Sequence, residues 1–204
     1  MKDLAVLTAD NDMAAVLRSL LTRNHALGIR PVGFDVFVHP HRDPGCVHQA
    51  HTFLAAFSGG YDYSLVLFDH QGSGREQLAP AELAQQVTDR VEAAGWRNRS
   101  RTIVLAPELE VWVWGPSPHV AACLGWEDRT PDLRTWLQST GHWPATAAKP
   151  IDPKAAMEAA LRQVRRPRSS AIYAQLASKV SLHGHTEPAF VALIGTLQEW
   201  FGIN

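Results

Sequence analysis

Two cysteines in 204 residues, Cys46 and Cys123, are too few for a disulfide scaffold or a cysteine-rich zinc site. The simplest reading is two reduced thiols in a cytoplasmic protein. No apolar run approaches the roughly 20 residues that cross a bilayer, and Met1-Lys2-Asp3 leads into a short apolar run without the features of a secretory or transit peptide. No membrane partner is expected. Neither sign of charge prevails: 19 basic against 20 acidic residues give a net charge of −1, so a nucleic acid could be gripped only by a local patch. The chain has no Gly-x-Ser-x-Gly elbow and no His-Glu-x-x-His zinc signature, and Gly72-Ser73-Gly74-Arg75 is too short for a P-loop and lacks its Gly-Lys-Ser/Thr ending. Repeats and low-complexity tracts are also missing. What remains, at 46% hydrophobic and 19% charged, is an ordinary globular chain with one core.

The order of elements is legible from periodicity. Leu4–Thr8, Gly33–Val38, Ser64–Phe68 and Thr102–Ala106 are short, nearly all-apolar runs, and each of the first three is followed by apolar residues at helical spacing. Strands without polar alternation are buried on both faces, which predicts an α/β fold with a small, mostly parallel sheet of about four strands flanked by helices. We expect this core over residues 1–115 and a helical extension packed on it over 116–204. Thr130, Asp152 and Thr186 stand as helix caps before prolines, Glu110–Trp114 reads as a helix from its position, and Gly141–Pro150 reads as a linker. His183-Gly184-His185 reads as a polar turn before the last helix.

Ligands of open parallel sheets bind beyond the carboxyl ends of the strands. In this chain those ends carry Asp10 and Asp12, then His39, His41 and Asp43, then Asp69 and His70, then Glu108 and Glu110. Carboxylates gathered on one rim repel one another unless a cation sits among them. Magnesium or manganese suits such a donor set, and two such ions assist phosphodiester cleavage. We therefore take Asp10, Asp12 and Asp69 as metal ligands, and Glu108, Glu110 and His70 as catalytic candidates. Any single acid serves equally well as a helix cap or a solvated surface charge.

His39, His41, His48 and His51, within one loop and its helix, read better as structural or surface residues than as a zinc set. Arg162, Arg165, Arg166 and Arg168, with Lys179 further on, form the dense basic region, which reads equally as a solvated helix end; Arg165, Arg166 and Arg168, with Arg75, are the candidates for phosphate contact. The seven tryptophans read as packing or as a partner surface rather than as base-stacking platforms.

A first strand ending in an acid, a third running into Asp69-His70-Gln71-Gly72, and a fourth leading to Glu108-Leu109-Glu110-Val111-Trp112 resemble the pattern of Toprim-like proteins of bacterial defence islands. The tail Arg168-Ser169-Ser170-Ala171-Ile172-Tyr173, with Leu182 and Pro188-Ala189-Phe190, resembles accessory proteins of methylation-associated defence systems. The resemblance implies a Toprim-like core, an anti-phage role alongside other defence proteins, and a divalent-metal-dependent nuclease or a degenerate nucleic-acid-binding relative. Asp10 stands where that family carries glutamate, and Gln71 where it carries an acid. The alternative is a scaffold or a receiver-like module, since Asp10, Asp12 and Asp69 also resemble a receiver's acidic pocket.

Overall fold

The computed structural model describes every residue except Pro116, His183, His185 and Asn204. The boundary expected at Pro116 and the turn through His183 and His185 therefore fall on residues outside the described set. The first half alternates strand and helix: β1 (Lys2–Thr8), α1 (Asn11–Leu21), the short α2 (Asn24–Leu27), β2 (Phe34–Val38), α3 (Arg42–Ala55), β3 (Tyr61–Asp69), α4 (Pro80–Val91) and β4 (Ser100–Leu105). A 3-10 turn (Leu109–Trp112) then leads into α5 (His119–Cys123), α6 (Leu133–Ser139), α7 (Pro153–Gln163), α8 (Ser170–Lys179) and α9 (Pro188–Phe201). All strand pairings are parallel, in the order β2-β1-β3-β4. This is the expected α/β architecture, a four-stranded parallel sheet between helices with a helical C-terminal part.

The apolar strands explain the layering. Leu4 to Leu7 and Leu65 to Phe68 are 0% exposed, because α3 and α4 cover one face of the sheet while α1 and α9 cover the other, with α8 packed on α1. Cys46 and Cys123 are both free and buried. No helix among the described residues is long and apolar enough to cross a membrane.

Indole N–H groups tie elements together instead of presenting platforms. Trp96 donates to the Leu54 carbonyl at 3.0 Å, Trp114 to Pro153 at 2.9 Å, and Trp126 to Ala160 at 3.1 Å. Trp200 stacks on Tyr63, holding α9 on the sheet. Trp96, Trp114 and Trp126 thus bury apolar area while their one polar group finds a backbone acceptor, whereas Trp112 Nε1 is buried without a partner.

Several local expectations change. The 3-10 turn replaces a full helix over Glu110–Trp114, because only one turn fits before the chain bends towards α5. Asp152 caps α7 as expected, accepting from Ala155 N at 2.8 Å. Thr130 does not cap α6: Asp132 takes that place, accepting from the Arg134 and Thr135 amides, since Pro131 and Asp132 still precede the first helical turn. Thr186 does not cap α9 either. Glu187 occupies the cap position without bonding the helix amides, its carboxylate being held by Lys149 at 2.5 Å. Gly141–Pro150 is a packed loop and not a loose linker, because Trp143 is buried within it and Lys149 also donates to the Val111 carbonyl.

Within α3, Gly45 lies directly under the buried His39 imidazole, which accepts the His41 amide through Nδ1. A Cβ at Gly45 would run into that ring. Gly45→Ala is expected to lower stability by about 1–3 kcal/mol, as overpacking does, measured by urea unfolding. An unchanged midpoint would show that the ring moves aside freely.

Candidate functional site: an acidic cleft at the carboxyl edge

In the order β2-β1-β3-β4, the chain leaves β1 towards one side and later places β3 on the other. The crevice outside the carboxyl ends of β1 and β3 is therefore the topological switch point, where open α/β sheets bind ligands. A cleft of about 650 Å³ opens there. Its walls carry Asp10, Asn11 and Asp12 from the β1 exit, Arg42 and Asp43 from the start of α3, and Asp69, Gln71 and Gly72 from the β3 exit. Glu108, Lys154, Arg168 and Ser170 complete it from the chain beyond β4.

Each acid is held differently. Asp10 caps α1, its Oδ1 accepting from Met13 N at 2.8 Å. Asp43 is turned away from its own helix, and its Oδ1 accepts the Asp69 amide at 2.8 Å. The Asp69 side chain is half-buried, and its Oδ1 is buried without a hydrogen-bond partner. Burial foremost, then the charges of Asp43, Glu110, Asp10 and Glu108, push the Asp69 carboxyl up to about 9. Burial likewise raises Asp43, partly offset by the bond from the Asp69 amide.

The counter-charges come from the helical part. Asp12 accepts from Ser170 Oγ at 2.6 Å and from Arg168 Nη2 at 3.0 Å. The same Nη2 lies 3.0 Å from Glu110, a side chain only 2% exposed that also accepts the Tyr173 hydroxyl at 2.6 Å. Arg168 additionally packs its guanidinium over the Tyr173 ring. Burial and the neighbouring Glu110 push the Tyr173 hydroxyl up, so it remains a donor. Lys154 meets Glu108 at 3.0 Å.

The residues singled out from sequence are thus only partly gathered. Asp10, Asp12, Asp69, Glu108 and Arg168 share the cleft, whereas Glu110 stands behind its wall in the Tyr173–Arg168 pair. The His70 ring bonds the Leu78 carbonyl through Nε2 at 2.9 Å and so closes the loop after β3. Arg166 is turned inward to the Cys123 carbonyl and Gln175. Arg75 and Arg165 are exposed and do not line the cleft. Among the histidines, His39 is buried against Phe53, His41 reaches Gln49, and His48 is exposed. Among the described residues, no three His, Cys, Asp or Glu side chains already stand as a metal-ligand set.

Sequence reasoning did not assign Arg42, Asp43, Lys154 or Ser170 to the site. Asp43-Pro44 carried a usable signal, being an acid at the carboxyl end of the second strand. Lys154 carried none, since a lysine in the first turn of a late helix has no mark of the cleft it reaches. Comparison with known proteins supplies no relative: no family model, no curated protein and no solved structure matches the chain.

The unpartnered carboxyl and the buried network give two expected outcomes. Asp69 keeps its proton in the folded chain over a range where the unfolded chain has lost it, so folding stability falls as pH rises through that range. Below about pH 6.5 the depressed His39 works the other way, and towards about pH 8.5 the buried Cys46 and Cys123 thiols, both held above their ordinary value by burial, add a fall of the same sign. The clean window is therefore from about pH 7 to about pH 8. In a chelator, the melting temperature should decline across that window and Asp69→Asn should remove most of the slope; a flat wild-type profile would contradict the burial of this group. Tyr173→Phe should cost about 1.5–3 kcal/mol, the range for a hydrogen bond to a charged group, read from denaturant unfolding.

Proposed function

We propose that the cleft holds a magnesium- or manganese-type cation against Asp10 and Asp69 and acts on phosphodiesters, as a component of a bacterial anti-phage defence system. The observation that carries this reading is the Asp69 carboxyl. Its Oδ1 is buried without a partner, Asp10, Asp43 and Glu108 line the same cleft, and no ion pair to it forms among the described residues. A cation there would convert a repulsive cluster into a ligand set.

The donor set fits that group and not zinc. One or two carboxylates are what magnesium takes from a protein, with water and substrate phosphate filling the remaining positions. Among the described residues no three His, Cys, Asp or Glu side chains form the set a closed zinc site needs. When bound, such a cation neutralises a phosphate oxygen and acidifies a water. The chain's own groups supply the rest. Lys154 and Arg168, on the side of the cleft built by the helical part, orient the phosphate. Glu108 lines the cleft beside Lys154 and is the carboxylate placed to take a proton from an attacking water. Glu110, held by Tyr173 and Arg168, orients the arginine. The defence setting, with other defence proteins as partners, rests on the resemblance of the strand-end motifs and of the tail.

A receiver-like module is the second reading, favoured by the adjacency of β1 and β3 that sets Asp10 and Asp12 beside Asp69. Against it, Asp12 is tied to Arg168 and Ser170.

Calorimetric titration with manganese should show binding to the wild-type chain, weakened by about tenfold or more, or about 1.4 kcal/mol, in both Asp10→Asn and Asp69→Asn. Metal-dependent cleavage of DNA should disappear in the same variants with the circular dichroism spectrum retained. A wild-type chain that binds neither manganese nor magnesium would sink the proposal and leave the scaffold reading.

A further inference from the structure

The acidic cleft is larger than a hydrated cation needs. Six waters at about 30 Å³ each occupy roughly 180 Å³, against about 650 Å³ for the cleft. It also continues sideways. A second hollow of about 410 Å³ lies between the exit of β4 and the first turn of α7, and it shares Gln71, Glu108 and Lys154 with the cleft. Both volumes fall in the range of small-molecule sites.

The walls of the two hollows differ in chemistry. The cleft is lined almost wholly by charged and polar groups, whereas the side hollow adds Pro107, Pro153 and Ile151, the last 79% exposed, beside Asp152, whose carboxylate caps α7. An isoleucine this exposed is one of few large apolar side chains left in solvent on the described surface. Flat and branched apolar groups in the wall of a hollow suit a planar heterocycle, which proteins often hold against apolar surfaces while polar groups read its edge. Gln71 offers both a donor and an acceptor at the junction. Lys154 stands at the same junction, and its ammonium has three donors, of which the contact with Glu108 needs no more than two.

Resting on the cation reading above, we propose that the side hollow is the base subsite of a nucleoside phosphate. The phosphate lies on the cation side of Lys154, and the base lies against Pro107, Ile151 and Pro153. The subsite is built by the chain beyond β4, so the helical part supplies recognition while the sheet edge supplies the acids. An acidic cleft repels a bare phosphate ester, and binding therefore depends on the cation.

The test is calorimetry in saturating manganese with three probes: inorganic phosphate, a nucleoside 5′-monophosphate, and a short single-stranded oligonucleotide with nuclease-resistant phosphorothioate linkages. The monophosphate should bind at least about tenfold more tightly than inorganic phosphate, about 1.4 kcal/mol. Ile151→Asp should abolish that preference and leave manganese binding dependent on Asp69. An oligonucleotide tighter than the monophosphate identifies a strand as the source of the nucleotide, and equal affinity identifies a free nucleotide. If nucleotide and phosphate bind equally while manganese binding still depends on Asp69, the base subsite is overturned and the cation reading stands. A preference that survives Ile151→Asp also overturns it. Loss of manganese binding to the wild-type chain overturns both.

Discussion

A parallel sheet buried on both faces leaves little room within its strands for polar side chains, and this constraint organises the molecule. From Leu4 to Leu7 and from Leu65 to Phe68 the strands are sealed between two helical layers. Charged chemistry gathers at the ends of the strands, where loops and helix N-termini supply partners, while within the strands the Ser64 and Ser100 hydroxyls pair at 3.0 Å and Thr102 Oγ1 is buried without a partner. Asp10 and Asp69 lie one step past that boundary. Asp10 finds the amides of α1, whereas the Asp69 side chain finds none for Oδ1. The difference between a capping acid and an orphaned one is therefore set by which amides each strand exit presents.

The helical part answers the charge that the sheet edge accumulates. Glu110, nearly sealed, would be very costly alone, since a buried carboxylate loses its hydration. The Tyr173 hydroxyl and the Arg168 guanidinium replace that hydration, and the same guanidinium extends to Asp12 at the start of α1. Because α8 also packs along α1, the contact that neutralises the acids and the contact that buries apolar surface fix the same orientation. Arg168 remains 32% exposed, so it faces the cleft while it is held from behind. The position of the extension on the core and the electrostatics of the cleft are consequently one problem with one solution.

Much of this was legible in the sequence, for identifiable reasons. Uninterrupted apolar runs specify a doubly covered sheet, and acids that follow such runs fall at its carboxyl edge whatever the strand order, which is why Asp10, Asp12, Asp69 and Glu108 could be named. Asp152 before Pro153 was a readable cap because both residues act within one helical turn. Thr130 and Thr186 misled because the same local pattern is satisfied by a neighbour: Asp132 lies one position past the proline, and Glu187 is drawn to Lys149 from a distant loop. The arginines from Arg162 to Arg168 look alike in sequence. In the fold they separate into an exposed Arg165, an inward Arg166, and Arg168 at the cleft.

The sequence by itself determined what depends on short-range pattern: the strands, the helices that cover them, and the collection of acids at strand exits. Hydrophobic periodicity and backbone geometry act over a few residues, and both are written into consecutive letters. Tertiary structure alone decided which acids are paired and which is left without a partner. Tyr173 reaches Glu110 across 63 positions, and Ser170 reaches Asp12 across 158. Lys154 arrives at Glu108 from 46 residues away. Desolvation and charge pairing depend on distance in space, and no local pattern records which helix will turn its arginine towards which acid.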